Sequence, residues 1–326
     1  MSAATKRKPR IVLLHGDPSG VGPEMVLKLL GDAATRAQAD VLLIADPAAL
    51  ASGERIVGHP APTDGVDVLP YDVLQGRAPV LGDSNADSGR CALRGLELAT
   101  DVVRRGEADA IVFAPFNKHS LRLGGLDQED ELRWLQVRWQ VPGFVCEFNI
   151  TGALWTSRVT SHVPLREVAD LINQRAVREA VLIIDRALKQ AGIAAPRIAV
   201  SGLNPHAGDG GSIGLEEIEV IGPAVEALRA EGLDARGPYS PDTVFIAARR
   251  GDYDAVVSMY HDQGQIAMKL MGFERGVTLH GGLPVPVATP ASGSAFDIAG
   301  KGIARIEGLQ AAFELAARMG ERAERR

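Results

Sequence analysis

At 326 residues the chain is longer than a single hydrophobic core usually grows, so one large domain or two linked ones are expected. Apolar residues make up 46% and charged residues 23%, a globular balance, and a formal charge of −6 with no basic face excludes nucleic acid as a partner. No run of about 18 apolar residues occurs, which excludes a membrane-spanning helix.

Cys91 and Cys146 are too few for a disulfide framework and do not form a Cys-x-x-Cys pair. The basic cluster Lys6-Arg7-Lys8 reads as a frayed tail, because no apolar stretch of signal-peptide length follows it. These features predict a cytoplasmic enzyme in a reducing compartment.

Arg10 to His15 reads as a strand, followed by Gly16-Asp17-Pro18-Ser19-Gly20-Val21-Gly22-Pro23-Glu24 and a helix carrying Met25, Leu27, Leu29 and Leu30. The glycine-rich stretch lacks the Gly-Lys-Ser/Thr ending of a phosphate loop and the regular dinucleotide fingerprint. It reads equally as a strand-to-helix turn that needs glycine dihedrals. A strand over Asp40–Ala45 follows, then a Gly-, Pro- and Asp-rich region over 51–90 expected to be mostly loop, with short strands near Ile56 and Val66–Leu69. Ser88 to Gly106 has a broad apolar helical face. Ala108 to Ala114 is a strand, with Pro115-Phe116-Asn117-Lys118-His119 hanging from its end. Lys118 there is a candidate ligand for a carboxylate or the cofactor, or else a solvated loop lysine.

The acidic run Asp127-Gln128-Glu129-Asp130-Glu131 suits the start of a helix through Trp139. Strands are expected over Trp155–Ser161, Arg197–Gly202 and at Val256–Val257; helices over 164–171, 176–192, 216–231, 244–249 and from about 309 to 322. Gly264 reads as closing a turn, and Ile266, Leu270 and Met271 as one helix face. The small-residue stretch from Ser292 to Gly302 reads as a loop running into a helix, where backbone can approach a flat or phosphorylated ligand. Strands alternate with helices throughout, which predicts a mostly parallel α/β core.

Three of the seven histidines, His162, His206 and His261, directly follow predicted strands. Ligands of open α/β sheets bind beyond the carboxyl ends of the strands. Three imidazoles converging there can hold a catalytic divalent metal while leaving a position open. Asp242 and Asp262 could polarise such ligands or move protons, or could be turn caps.

Four stretches, 16–24, Asn204-Pro205-His206-Ala207-Gly208, Pro241-Asp242-Thr243 and Tyr260-His261-Asp262-Gln263-Gly264, resemble the motifs of the 4-hydroxythreonine-4-phosphate dehydrogenase family, in consistent order from about 11 to 305. The resemblance implies an isopropylmalate dehydrogenase-like α/β fold of two domains with mostly parallel sheets, and a homodimer. The expected boundaries are 1–125 plus 285–326 for the domain with the cofactor loop, and 126–284 for the domain with the metal ligands and dimer contacts. It implies a divalent metal (Zn, Mg, Mn or Co) on His162, His206 and His261, with Asp242, Asp262 and Lys269 near the chemistry. NAD or NADP would lie on a loop containing Gly293, Ser294, Ala295, Asp297 and Ile298. The metal would stabilise an alkoxide while the nicotinamide accepts hydride, with decarboxylation where a β-keto acid results.

Departures from that family fall at its phosphate site. Glu129 and Asp130 stand near a usual His-Thr pair, Val287 replaces an arginine, Thr278 replaces an asparagine, and Lys269 alone survives. Ser292 replaces a histidine usual at the start of the cofactor loop. These positions predict a non-phosphorylated hydroxy acid or cis-dihydrodiol, such as terephthalate dihydrodiol, as substrate. The alternatives are the namesake activity in pyridoxal phosphate biosynthesis and a non-catalytic ligand-binding protein.

Overall fold

Residues 8–272 and 274–322 are described by the computed structural model; Lys6 and Arg7 of the basic cluster lie outside them. The chain forms two compact units, one ending at Pro142 and resuming at Leu283, the other spanning Gly143–Gly282. The first crossover therefore falls later than the expected 125/126. The reason is local: Leu135 is fully buried in the core of the first unit beside Leu96 and Phe113, so its helix belongs there.

The first segment runs β1 (Arg10–Leu14), α1 (Gly22–Gly31), α2 (Ala33–Arg36), β2 (Asp40–Ala45), α3 (Pro47–Val57), β3 (Val66–Pro70), α4 (Ala86–Arg104), β4 (Ala110–Phe113), α5 (Lys118–Gly124) and α6 (Glu131–Arg138). Two of these correct the sequence reading. Ile56 lies in helix α3 rather than a strand: Asp46 caps it by accepting from the Ala48 amide, Pro47 presets the first turn, and Gly58 ends it at φ 80°. The stretch after β4 coils into α5, because the Asn117 side chain accepts from the Ser120 amide and Gly125 stops it in the left-handed region.

The second unit runs β5 (Cys146–Thr151), β6 (Leu154–Arg158), α7 (Leu165–Leu171), α8 (Gln174–Ala191), β7 (Arg197–Ser201), α9 (Gly222–Ala230), β8 (Asp234–Tyr239), α10 (Val244–Arg249), β9 (Ala255–Ser258), α11 (His261–Met271) and β10 (Val277–Gly281). Its strand order is β10-β5-β6-β9-β7-β8. The pairs β6–β9, β9–β7 and β7–β8 are parallel, whereas β10–β5 and β5–β6 are antiparallel. Strands β5, β8 and β10 had no sequence expectation. Cys146–Thr151 alternates buried and half-buried residues and mixes in polar ones, so no apolar run marks it. The helix expected over 216–231 opens with a wide π turn at Glu217–Ile221 before becoming α9. Gly264 lies inside α11, where a Cβ would meet the Ser258 hydroxyl at 2.9 Å. Ile266 and Leu270 are 60% and 85% exposed, so the face they share does not pack on this unit; Met268 does.

The chain returns as β11 (Val287–Pro290) and α12 (Glu307–Gly320), completing a parallel sheet β3-β2-β1-β4-β11 in the first unit. The loop 292–302 holds only a short 3₁₀ turn, Phe296–Ile298, and does not lead straight into a helix. Val12, Ile111, Leu96 and Val287 are wholly buried in one cluster of the first-unit core. Each such aliphatic side chain contributes about 1.5–3 kcal/mol over its exposed state. Among the described residues no helix is long and apolar enough to cross a membrane.

Candidate active site

Three adjacent parallel strands of the second unit, in the order β6-β9-β7, end together. His162 follows β6, His261 opens α11 after β9, and His206 follows β7. Parallel pairing therefore sends all three to the same edge of the sheet. The rings of His162 and His261 lie with centroids 5.7 Å apart. Asp262 Oδ1 stands 2.6 Å from His261 Nδ1. With the proton on Nδ1, this contact leaves the Nε2 lone pair as the donor. Asp242 is exposed and ionises below the usual carboxylate range: the Ser240 hydroxyl donates to it at 2.6 Å, and the field of His206 adds to the effect.

The loops that carry these histidines are tied to one another. Thr160, two residues before His162, donates both its amide and its hydroxyl to the Met259 carbonyl. Gln263 accepts from the Met259 amide at 2.6 Å and donates to the Gly202 carbonyl at 2.9 Å, linking the loops after β9 and β7. Arg158, only 4% exposed, donates to Glu147, Asn149 and the Ser161 hydroxyl beside His162. His206 itself sits in a turn of five successive left-handed residues, His206 to Gly210, with φ between 44° and 79°. Its three non-glycine members, His206, Ala207 and Asp209, cost about 1 kcal/mol each in that conformation.

Lys269 is exposed on α11, and Thr278 sits on β10 with its hydroxyl accepting from Asn149 Nδ2 at 3.4 Å. The other expected site residues lie in the first unit. Lys118 is the exposed first residue of α5 rather than a loop lysine. Glu129 is exposed, whereas Asp130 is 3% exposed and caps α6 by accepting from the Arg133 amide at 2.9 Å. Val287 is fully buried in the core, paired with Ile111 across β11 and β4, so its side chain offers nothing to a ligand. The expectation that it contacts substrate is corrected.

The glycine-rich stretch 16–24 grips the loop expected to hold the cofactor. A Cβ on Gly20 would lie 2.5 Å from the Ser294 carbonyl, which accepts from the Val21 amide at 3.0 Å. A Cβ on Gly22 would lie 2.1 Å from the His15 carbonyl. Buried Glu24 accepts from Lys28 Nζ and the Ala304 amide, both at 2.7 Å, while Lys28 also donates to the Gly302 and Ala304 carbonyls. Ser294 is thereby buried, Ala295 is left-handed at φ 44°, Gly293 is open, and Asp297 and Ile298 form the short turn. Asp17 is buried and its carboxyl is raised by desolvation, against the Ser19 amide that donates to it. Thr160, Arg158, Glu217 and Gln263 carry no local sequence signal for these roles, because each also bonds a group on another loop or strand. The Glu24/Lys28 spacing of four was a visible helical pair.

The donor chemistry fits a divalent cation of borderline softness: three imidazoles at one sheet edge, one of them oriented by a carboxylate.

The family model described as pyridoxal phosphate biosynthetic protein PdxA matches residues 25–316. The chain is 49% identical over 328 residues to a Pseudomonas aeruginosa protein provisionally named 4-hydroxythreonine-4-phosphate dehydrogenase 2, covering 96% of this chain and 97% of that one. It is 39% identical to the D-threonate 4-phosphate dehydrogenase of Cupriavidus necator, covering 95% and 98%. The crystal structure of 4-hydroxythreonine-4-phosphate dehydrogenase from Klebsiella pneumoniae superposes with TM-score 0.82 at 34% identity, covering 98% and 100%. A terephthalate 1,2-cis-dihydrodiol dehydrogenase from Burkholderia xenovorans superposes at 0.67 with 28% identity, covering 93% and 96%.

Proposed function

Because the chain belongs to the pyridoxal phosphate biosynthetic protein PdxA family of dehydrogenases, we propose that it oxidises the secondary hydroxyl of a four-carbon hydroxy acid 4-phosphate. The observation that carries this reading is the agreement of the relatives: those at 49% and 39% identity are named for 4-phosphate esters, whereas the dihydrodiol enzyme stands at 28%. One reason for expecting a lost phosphate site also weakens, because Asp130 serves as a helix cap; buried Val287 still supplies no replacement for the family's arginine. The non-phosphorylated substrate therefore gives way to the phosphate ester.

His162, His206 and His261 would hold the divalent metal. When bound, that cation supplies Lewis-acid polarisation of substrate oxygens, and NAD or NADP takes the hydride. Asp262 keeps the His261 ring in one tautomer and orientation. Asp242, held ionised by Ser240, supplies permanent negative charge near His206 and is a weak base at neutral pH. Lys269 contributes positive charge two helical turns beyond His261, suited to the substrate's phosphate or carboxylate. In the first unit, the loop at Gly293–Ile298 would receive the nicotinamide cofactor; the Val21 amide holds it at Ser294, and Glu24 and Lys28 anchor the segment that follows at Gly302 and Ala304. Oxidation of a hydroxyl β to the carboxylate gives a β-keto acid, which can then lose carbon dioxide.

The test is reduced-cofactor formation by metal-loaded protein with 4-hydroxythreonine-4-phosphate, D-threonate 4-phosphate and terephthalate cis-dihydrodiol in parallel. Turnover of either phosphate ester supports the proposal. Turnover of the dihydrodiol alone overturns it.

A further inference from the structure

We propose that Glu217 is a positioning residue for the metal centre: its buried carboxylate gathers the backbone at Leu203 and Asn204 and so sets how the left-handed turn presents His206. This inference rests on His206 being a metal ligand, as proposed above.

Glu217 is 3% exposed, although a buried carboxylate is costly unless its oxygens are well served. Oε1 accepts from the Leu203 and Asn204 amides, both at 2.7 Å, and Oε2 accepts from Asn204 Nδ2 at 2.9 Å. These donors are neutral N–H groups, so the acid works here as an organiser of backbone. A glutamine would keep one acceptor and turn its own NH₂ toward a donor.

The surroundings are shaped to this carboxylate. A Cβ on Gly202 would lie 2.9 Å from Oε1, and one on Gly208 would lie 2.8 Å from Oε2. The left-handed turn thus starts and continues around Glu217, with His206 between the two glycines. Glu217 opens the π turn that precedes α9, and π turns recur where a helix must aim a functional group. Asn204 is fixed in addition by Glu216 at 2.7 Å, and the Ile213 amide closes the loop onto the Gly208 carbonyl. Left-handed backbone at His206, Ala207 and Asp209 persists only where neighbours over-determine it, and Glu217 supplies that determination.

The experiment titrates Co²⁺ into the full-length protein, following visible absorption, with circular dichroism and thermal unfolding of the metal-free protein as fold controls. Glu217→Gln should bind Co²⁺ about 10- to 100-fold more weakly, with an altered spectrum and native circular dichroism. In a His206→Ala background the same change should have little further effect, since its ligand is gone. Wild-type affinity in Glu217→Gln overturns the proposal, as does a full, additive loss in the His206→Ala background. If Glu217→Gln does not fold, Asn204→Ala takes its place: it removes the Oε2 donor, and unchanged Co²⁺ affinity there overturns the proposal. Wild-type affinity in His206→Ala itself would mean that the metal reading has failed, and the role of Glu217 toward it falls with it.

Discussion

Glu24 accepts a hydrogen bond at 2.7 Å from the amide of Ala304, 280 positions further along the chain. The same oxygen, Oε1, takes Lys28 Nζ, and Lys28 reaches on to the Gly302 and Ala304 carbonyls. A helical pair four residues apart thus becomes a latch on the segment that follows the cofactor loop.

Replacing Lys28 by Met should leave the buried Glu24 carboxylate without its cation and lower stability by about 3 kcal/mol. The double variant Glu24→Leu/Lys28→Met should recover only part of that loss in urea unfolding, because the buried Ala304 amide then lacks its acceptor. Both should weaken NADH binding, by roughly tenfold in a fluorescence titration, because the latch is open in each. Unchanged NADH affinity would detach this latch from the cofactor.

His15 is buried at the end of β1, its Nε2 3.0 Å from the Tyr71 hydroxyl, with Cys91 and Asp46 nearby. Desolvation pulls it from 6.5 to about 4, against the field of Asp46. The unfolded chain therefore binds more protons than the folded one between these values, and stability falls as pH drops from about 6.5 to about 4. Below about 4 this contribution levels off. The span corresponds to about 3 kcal/mol as an order of magnitude. His15→Gln should flatten that part of the curve of urea midpoint against pH; an unchanged slope would mean that other groups set it.

Gln263 bridges the loops after β9 and β7 through Met259 and Gly202. Gln263→Leu leaves the Met259 amide without its acceptor, at a cost of about 1–3 kcal/mol, while the Gly202 carbonyl keeps the Ser201 hydroxyl. The variant should unfold at lower temperature and bind Co²⁺ about tenfold more weakly. Loss of stability with intact Co²⁺ affinity would limit Gln263 to a structural role.

Ile246, Ile266 and Leu270 expose 60%, 60% and 85% of their surface on the second unit. If a second copy covers them in the homodimer that the family resemblance implies, Leu270→Arg should shift the protein toward monomer in sedimentation. A monomeric wild type would overturn the expectation of a homodimer.

Much of the architecture was legible because it rests on local rules. Buried parallel strands such as Arg10–Leu14 and Asp40–Ala45 are short apolar runs, and α10 matches its expected bounds, Val244–Arg249. The histidines after β6, β7 and β9 could be singled out because position after a strand is a property of the sequence. Helix α3 was misread as loop and strand through its composition, although Asp46-Pro47 and Gly58 carried its cap signals. Strand β5 escaped because its polar residues Glu147 and Asn149 are drawn into the Arg158 network, a reason absent from its own six residues.

What the sequence by itself determined was the α/β class, the family and the three histidines placed to share a sheet edge. The tertiary structure decided which strands are neighbours, and hence that β6, β9 and β7 bring those histidines to one edge of the sheet. It also decided that Val287 is core, that stretch 16–24 holds the loop near Ser294, and that Glu217 shapes the turn at His206. Periodicity and capping act over a few residues and can be read along the chain. A hydrogen bond such as Glu24–Ala304 depends on packing that brings distant segments together, and no local pattern encodes it.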